Sequence, residues 1–346
     1  MIRRLLPLLL LAASPLALPG TAPDALGQVL PRQGEAPLPP PPDPQGGLTF
    51  NYENDTLGGT DRNYTSGLQL VWRSPSAELP GLLRWMDERA TALLGPGSVR
   101  WGAGLVHAIY TPEDTQIAVP NPRDRPYAGL LYGALVLQRD SGASLGTLEL
   151  QVGVVGPSAG GEFVQNTVHE AIRVDTAKGW DSQLRDEPAV NLVFERTLRS
   201  APWEAGGLEA DLLPSVSVSL GNVATYAGAG AIFRLGQGLD ADYGPPRIRP
   251  ALVGSAFFQP RETFGWYVFA GGQGRAVARD IFLDGNTWQD SPSVDRRPLV
   301  GDASAGVVVH WRGFRLAYTH TWRTEEFYGQ TGGLQAFGSI GLTARF

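Results

Sequence analysis

The sequence predicts an all-β fold: a twelve-stranded antiparallel transmembrane β-barrel with a short helical segment in an extracellular loop. Three observations lead to this prediction. Apolar and polar residues alternate with a period of two in many segments, an export-type segment opens the chain, and the chain stops on a strand at the aromatic residue Phe346. Strands of about ten residues with one apolar face are long enough to cross a bilayer when they are tilted.

Alternation defines the strands one by one. In 334–346 the even positions are Leu, Ala, Gly, Ile, Leu, Ala and Phe, whereas most odd positions are polar. The predicted strands are 48–54, 64–73, 99–110, 126–138, 145–156, 189–199, 210–221, 226–236, 263–274, 303–312, 314–323 and 334–346. A thirteenth strand at 249–258 would make the number odd. A closed antiparallel barrel with both termini on one side needs an even number, so we predict a connection there.

The amino-terminal residues are typical of an exported protein. In residues 1–22, Arg3 and Arg4 precede an apolar run that is followed by small residues, which is the pattern of a signal peptide. Residues 23–47 are rich in proline and are predicted to form a tether. Residues 48–346 are then predicted to form one domain, the barrel with its outer loops.

Composition excludes several classes of function. The chain has no cysteine, so it has neither disulfides nor a thiol nucleophile nor a thiolate metal site. Its net charge is −6 and its only lysine is Lys178, which leaves no basic field for nucleic acid. We therefore expect no nucleic-acid partner.

Strand parity places the loops. If the amino terminus lies in the periplasm, the connections 55–63, 111–125, 157–188, 222–225, 275–302 and 324–333 face the exterior. Of the opposite connections, 139–144, 200–209 and 312–313 are short, whereas 74–98 is longer and contains a helical pattern. Alternation also turns Thr49, Asn51, Glu53 and Asp55 toward the lumen, together with Thr65, Gln69 and Arg73.

One exterior loop carries a chemical pattern. Gln165 and His169 are four residues apart in a helical segment of 157–188 and therefore share a face, and Asp175 follows six residues later. Histidine beside carboxylates and amides suits a general base that activates water against an ester. The alternative is an ordinary histidine on a helix surface. Asn54 and Asp55 likewise suit either a site or a solvated turn, and Trp180 is expected to pin the long loop.

The motifs carry a family resemblance. The segments "END", "TDRNYTSG", "RDRPYAG", "GPSAGGEFVQNTVH", "GWDSQLRDEP", "LGNVAT", "EFYGQ" and "FGSIGLTARF" occur in this order from about residue 48 to the end. Together they resemble the lipid A 3'-O-deacylase family of Gram-negative outer membranes. The resemblance implies a twelve-stranded barrel that hydrolyses the 3' ester of lipid A, requires calcium and activates water with a histidine.

The resemblance also implies site residues. The implied catalytic residues are Asn54, Asp55, Thr65, Gln165 and His169. Asp55 and Asp175 are the implied ligands of Ca²⁺, and Arg123 and Arg125 are candidates for binding substrate phosphate. The family has a lysine in its second outer loop, but 111–125 contains none here, and arginine does not readily transfer protons.

The expected partners follow from this reading. They are lipid A or lipopolysaccharide and the lipids of the Gram-negative outer membrane. We expect the protein to be a monomer whose active site faces the extracellular leaflet. Two other functions stay open from the sequence. One is a phospholipase-like acyl hydrolase that uses Ser66 or Ser158, although neither lies in a nucleophile-elbow sequence. The other is a non-catalytic barrel or small pore.

Overall fold

The fold is a closed antiparallel β-barrel. The structure, a computed structural model, describes residues 42–58, 63–76, 79–248 and 256–346. Its strands are β1 (Gly47–Asn54), β2 (Asn63–Arg73), β3 (Ser98–Thr111), β4 (Ala128–Asp140), β5 (Ser144–Val155), β6 (Glu187–Leu198), β7 (Trp203–Ala205), β8 (Leu208–Gly221), β9 (Ala224–Gln237), β10 (Phe264–Asp280), β11 (Leu299–Trp311), β12 (Phe314–Arg323) and β13 (Gln335–Arg345). The helices are α1 (Gly81–Leu94), α2 (Gly161–Ile172) and α3 (Ile281–Asp284).

Closure of the wall confirms the predicted number of strands. Neighbours in sequence pair with one another, β1 pairs with β13, and β6 pairs with β8 to complete the ring. The three-residue β7 pairs only with β8, so twelve strands form the barrel. Among the residues that the structure describes, no helix combines the length and apolar character needed to cross a membrane.

A few boundaries differ from the prediction. β10 has 17 residues and continues past the predicted end at 274. The predicted connection 200–209 contains β7. Of the questionable segment 249–258, residues 249–255 lie outside the described residues, and Phe258 forms an isolated bridge with Asp242.

The predicted signal peptide and most of the predicted tether also lie outside the described residues. Residues 42–46, the end of the predicted tether, contact the barrel: the buried Asp43 pairs with Arg100 at 2.9 Å and with Arg345 at 2.6 Å. Gly46 donates its backbone N–H to the carbonyl of Phe346, 3.0 Å away. We call this end of the barrel the terminal rim. The opposite end, which carries the connections 112–127, 156–186 and 324–334, is the loop rim.

The barrel wall separates two environments. On β1, Thr49, Asn51 and Glu53 are buried toward the lumen, as predicted, while Leu48 and Phe50 are exposed on the outer face. This alternation suits a wall with lipid outside and polar groups inside.

The β9–β10 connection folds into the lumen. Its Asp242 is fully buried and accepts hydrogen bonds from Arg234 on β9 at 2.8 Å, Tyr267 on β10 at 2.9 Å and Arg315 on β12 at 2.9 Å. The same connection reaches β1, because Arg247 donates to Glu53 across 2.9 Å. Buried charges of this kind are tolerated only when they are paired.

The loop rim is also closed from inside. Phe282 of α3 stacks on Tyr110 of β3 with ring centroids 3.9 Å apart. Below it, two cavities bordered by polar lumen residues each have a volume of about 40 Å³, which is room for a few waters. The described part of the lumen is therefore packed with side chains.

The helix predicted within 74–98 is α1, and it lies outside the wall at the terminal rim. Leu83 and Leu94 pack with Leu137, an outward-facing residue of β4. Arg139 of the same strand forms two hydrogen bonds to the carboxylate of Asp87, at 2.7 and 2.6 Å. The helix ends at Leu94 and is followed by Gly95, whose φ of 81° favours glycine.

Candidate functional site

The candidate site is built on α2, whose start is fixed by close packing. Gly160 precedes the helix with a φ of 72°, in the left-handed region. A Cβ atom on Gly161 would lie 2.7 Å from the Trp180 ring and 3.0 Å from the Cα of Gly129. Only glycine allows this approach between helix and wall. The helix ends at Ile172 and is followed by Arg173, which is also in the left-handed region.

Helix α2 packs against the outer surface of the barrel wall, not inside the lumen. Val164 packs with Ile109, Tyr127 and Trp180 in one apolar cluster. Ile109 lies between two lumen-facing residues of β3, so its own side chain faces outward. Consequently α2 covers the outer, membrane-side surface of the wall at the loop rim. His107, also outward-facing, supports this placement by donating from Nε2 to the carbonyl of Ala159, 3.0 Å away.

The imidazole of His169 has a defined tautomer. Its Nδ1 lies 2.7 Å from the backbone carbonyl oxygen of Asp175. A carbonyl only accepts hydrogen bonds, so Nδ1 carries the proton and Nε2 of the neutral ring has a free lone pair. The ring is half-buried. Asp175 thus orients the histidine through its main chain, while its carboxylate is exposed.

Gln165 lies one turn before His169 on the same face, as the spacing predicted. Its side chain is 4% exposed, and its Oε1 accepts a hydrogen bond from Trp180 Nε1 at 2.8 Å. Its Nε2 is buried and has no hydrogen-bond partner among the described residues. Buried amide donors are rarely left in this state. The arrangement offers a donor beside the histidine.

Thr65 faces the opposite side of the wall from the one predicted. A β-bulge interrupts the pairing of β2 with β3 between Tyr64 and Ser66. Tyr64 packs in the lumen with Tyr110, and the extra residue turns Thr65 outward. Its hydroxyl lies 2.7 Å from that of Thr111. The prediction of an inward Thr65 was therefore wrong, and the bulge places it on the side that α2 covers.

Asn54 and Asp55 are tied to the same bulge. Asn54 Nδ2 donates to the backbone carbonyl of Thr65 at 2.9 Å, and its Oδ1 accepts from the N–H of Thr56 at 2.8 Å. The backbone N–H of Asp55 also points to the Thr65 carbonyl, at 3.4 Å, and the Asp55 side chain is 1% exposed. The Asn54–Asp55 pair lies at the end of β1, and the Gln165–His169 pair lies on α2, which packs against β3 and β4. The two pairs thus lie at the same rim of the barrel.

The two arginines of "RDRPYAG" differ in their surroundings. Arg123 is exposed. Arg125 is 1% exposed, lies over the Tyr110 ring and pairs with Glu326 at 3.4 Å. Burial alone would raise the pKa of Glu326, but the guanidinium groups of Arg323 and Arg125 outweigh it and hold that pKa below its usual range. Of these two arginines, only Arg123 is therefore open to solvent.

The donor set for a metal is small in the described part of the chain. No group of three or more His, Asp or Glu side chains that could hold a metal occurs there. Asp55 supplies one buried carboxylate, with the carbonyl and hydroxyl oxygens of Thr65 in the same bulge. These are the hard oxygen ligands that Ca²⁺ prefers, and it also accepts main-chain carbonyls. The residues fit calcium in type.

Thr111 was not among the predicted site residues, and Trp180 was predicted only as a loop anchor. Thr111 is the last residue of β3, and its hydroxyl contacts that of Thr65 because the bulge in β2 turns Thr65 toward it. Trp180 contacts Gln165 from 15 positions away. The tryptophan in "GWDS" was a visible signal, but its partner was not.

Comparison with known proteins gives the family. The sequence matches the family described as Outer membrane protein LpxR over residues 7–346. The structure is similar to LpxR from Salmonella typhimurium, with a TM-score of 0.69 and 22% identity over 86% of this chain and 99% of that chain. The β domain of the Bordetella autotransporter BrkA gives a TM-score of 0.41 and 11% identity over 88% and 98% of the two chains. No curated protein sequence matches the chain. The family match over nearly its whole length shows that this chain is a member of the LpxR family of outer membrane proteins.

Proposed function

We propose that this protein is a calcium-dependent ester hydrolase that removes the 3'-linked acyl or acyloxyacyl group from lipid A. One observation carries the proposal: α2 presents Gln165 and His169 at the membrane side of the barrel wall, not in the lumen. A site in this position meets substrates that lie in the bilayer. Membership of the LpxR family supports the same substrate class.

The chemistry follows from the two side chains. Nε2 of His169 takes a proton from water, and the water oxygen attacks the ester carbonyl carbon. The carbonyl oxygen, which becomes negatively charged in the tetrahedral intermediate, accepts a hydrogen bond from Nε2 of Gln165. When the tetrahedral intermediate collapses, the imidazolium returns its proton to the departing 3'-oxygen. The products are a free carboxylic acid and a 3'-hydroxyl.

The residues of the bulge complete the proposed site. Asp55 is the proposed anchor of Ca²⁺, with Asp175 as a second ligand, and Asn54 and Thr65 supply amide and hydroxyl groups beside it. When bound, the ion would add positive charge near the ester oxygen. Arg123 is the proposed contact for substrate phosphate.

The surroundings suit a lipid. On the outer face below the site, Leu70 and Leu105 are 45% and 56% exposed, and on α2 Phe163 and Ile172 are 74% and 63% exposed. Acyl chains can lie along such a surface while the sugar and phosphates stay at the rim. We propose that the loop rim faces the extracellular leaflet, since longer loops occupy that side in outer-membrane barrels.

Two other functions have less support. Ser158 donates its hydroxyl to the carboxylate of Asp186 at 2.8 Å, a contact that leaves the hydroxyl without a histidine base. A pore would need an open lumen, but the β9–β10 connection and α3 fill the described part of it. The esterase proposal explains more of the structure than either alternative does.

The decisive experiment is mass spectrometry of lipid A from cells that produce the wild-type protein, His169→Ala or His320→Ala. His320 is a matched control because it is a half-buried histidine on β12 that contacts Trp322. We expect loss of the 3' acyl group with the wild type and His320→Ala, and intact lipid A with His169→Ala. Full deacylation by His169→Ala would contradict the role of His169, and lysophospholipid in place of deacylated lipid A would contradict the substrate.

A further inference from the structure

We infer that Trp180 is a positioning residue for the ester hydrolysis: its indole N–H fixes the side-chain amide of Gln165 so that the Nε2 donor faces the reacting carbonyl. The inference rests on the proposed function. It concerns a residue that contacts no substrate and acts only through Gln165.

Trp180 is held rigidly. Its side chain is 1% exposed and packs against Tyr127, with ring centroids 4.9 Å apart. Two glycines make room for this cluster. A Cβ on Gly161 would lie 2.7 Å from the Trp180 ring, and one on Gly179 would lie 2.5 Å from the Tyr127 ring. The indole therefore has little freedom to turn away from Gln165.

The direction of the hydrogen bond decides the orientation of the amide. An indole N–H only donates, so the atom 2.8 Å from Trp180 Nε1 must be the carbonyl oxygen Oε1 of Gln165. The amide nitrogen then points to the other side, where it is buried without a partner among the described residues. A donor that is desolvated in advance gains most when negative charge develops beside it.

The same loop orients the histidine. The carbonyl of Asp175 fixes the tautomer of His169, and five residues later Trp180 fixes Gln165. Between them, Ala177 exchanges two hydrogen bonds with the side chain of Asn166, at 2.9 and 3.4 Å. Segment 175–180 thus contacts three polar side chains of α2, those of Gln165, Asn166 and His169.

A double-mutant cycle tests the inference. Trp180→Phe keeps an aromatic ring but removes the N–H, and we expect kcat to fall about tenfold with KM unchanged, because the amide loses its fixed orientation. Gln165→Ala should lower kcat about 100-fold. In the Gln165→Ala background, Trp180→Phe should cause no further loss. The control is Tyr127→Phe, which removes a 3.4 Å hydrogen bond to Thr115 in the same cluster and should keep the wild-type kcat.

Other outcomes would overturn the inference. Equal loss from Trp180→Phe in both backgrounds, or a change in KM alone, would assign Trp180 a general packing role. A measurement without substrate separates this inference from the proposed function: the indole ¹H–¹⁵N resonance of Trp180, assigned by its absence in Trp180→Phe. We expect the resonance to move upfield in Gln165→Ala. An unmoved resonance would disprove the hydrogen bond even in a protein without deacylase activity, whereas a shifted resonance with an active His169→Ala would disprove only the proposed function.

Discussion

Replacement of Gly161 by alanine should separate α2 from the barrel wall. The added methyl group would lie 2.7 Å from the Trp180 ring and 3.0 Å from the Cα of Gly129. Carbon atoms in contact are usually about 3.5–4.0 Å apart, so the helix must move by about 1 Å. Trp180 cannot yield easily, because it is 1% exposed and packed against Tyr127.

A shift of about 1 Å in α2 is sufficient to displace Gln165 and His169 from their positions relative to the barrel wall. Misplacing catalytic groups by about 1 Å costs on the order of 100-fold in rate, or about 2.7 kcal/mol of transition-state stabilisation. We therefore expect Gly161→Ala to release acyl chains from lipid A about 100-fold more slowly. The assay is the initial rate of fatty-acid release from purified lipid A in detergent. Heat-modifiable electrophoretic migration reports in parallel whether the barrel has folded.

The matched control is Gly274→Ala on the opposite side of the barrel. A Cβ at Gly274 has no heavy atom within 4 Å, so this variant should keep the wild-type rate. A folded Gly161→Ala protein that also hydrolyses lipid A at the wild-type rate would refute the reasoning, because it would show that the contact between α2 and the wall does not position the site.

Further predictions concern the rim arginines, the lumen, the terminal rim and calcium. Arg123→Ala should raise KM for lipid A several-fold, whereas Arg125→Ala should mainly lower stability in denaturant titrations, because Arg125 is buried beside Glu326. Asp242→Ala should destabilise the barrel by about 3–5 kcal/mol in urea titrations, since it removes the buried carboxylate to which both Arg234 and Arg315 donate. Burial alone would raise the pKa of Asp43, but the N–H of Gln45 and its two arginines lower it. Its stabilising effect is therefore complete above the unfolded pKa of about 4 and is lost as pH falls further, so the stability difference between the wild type and Asp43→Asn should shrink in acid. Chelation with EGTA should abolish hydrolysis, and added Ca²⁺ should restore it; activity that persists in EGTA would contradict the calcium proposal.

The sequence predicted the elements well where one periodicity dominates. Strands with an apolar outer face and a polar inner face have a period of two, and α2 follows two glycines and has helical spacing between Gln165 and His169, so both could be identified without coordinates. Thr65 could not be placed correctly, because a single inserted residue reverses the alternation and leaves no mark in the pattern. The insertion is seen only when β2 is paired with β3.

Contacts between residues far apart in the sequence account for the other differences between the predicted and the observed structure. Arg123 and Arg125 are two residues apart in one motif, and only a partner about 200 positions away makes Arg125 a lumen residue. The same holds for the β9–β10 connection. Its Asp242 is buried because arginines from β9 and β12 converge on it, and local sequence carries no information about that meeting.

The inserted β9–β10 connection constrains how the chain assembles. Asp242 is held by residues of β9, β10 and β12, and Arg247 of the same connection is held by Glu53 on β1, the first strand. These charged groups lie inside a wall that closes where β1 pairs with β13. We therefore expect the carboxy-terminal hairpins to gather around the connection before the first and last strands pair, so that the wall closes around contents that are already in place.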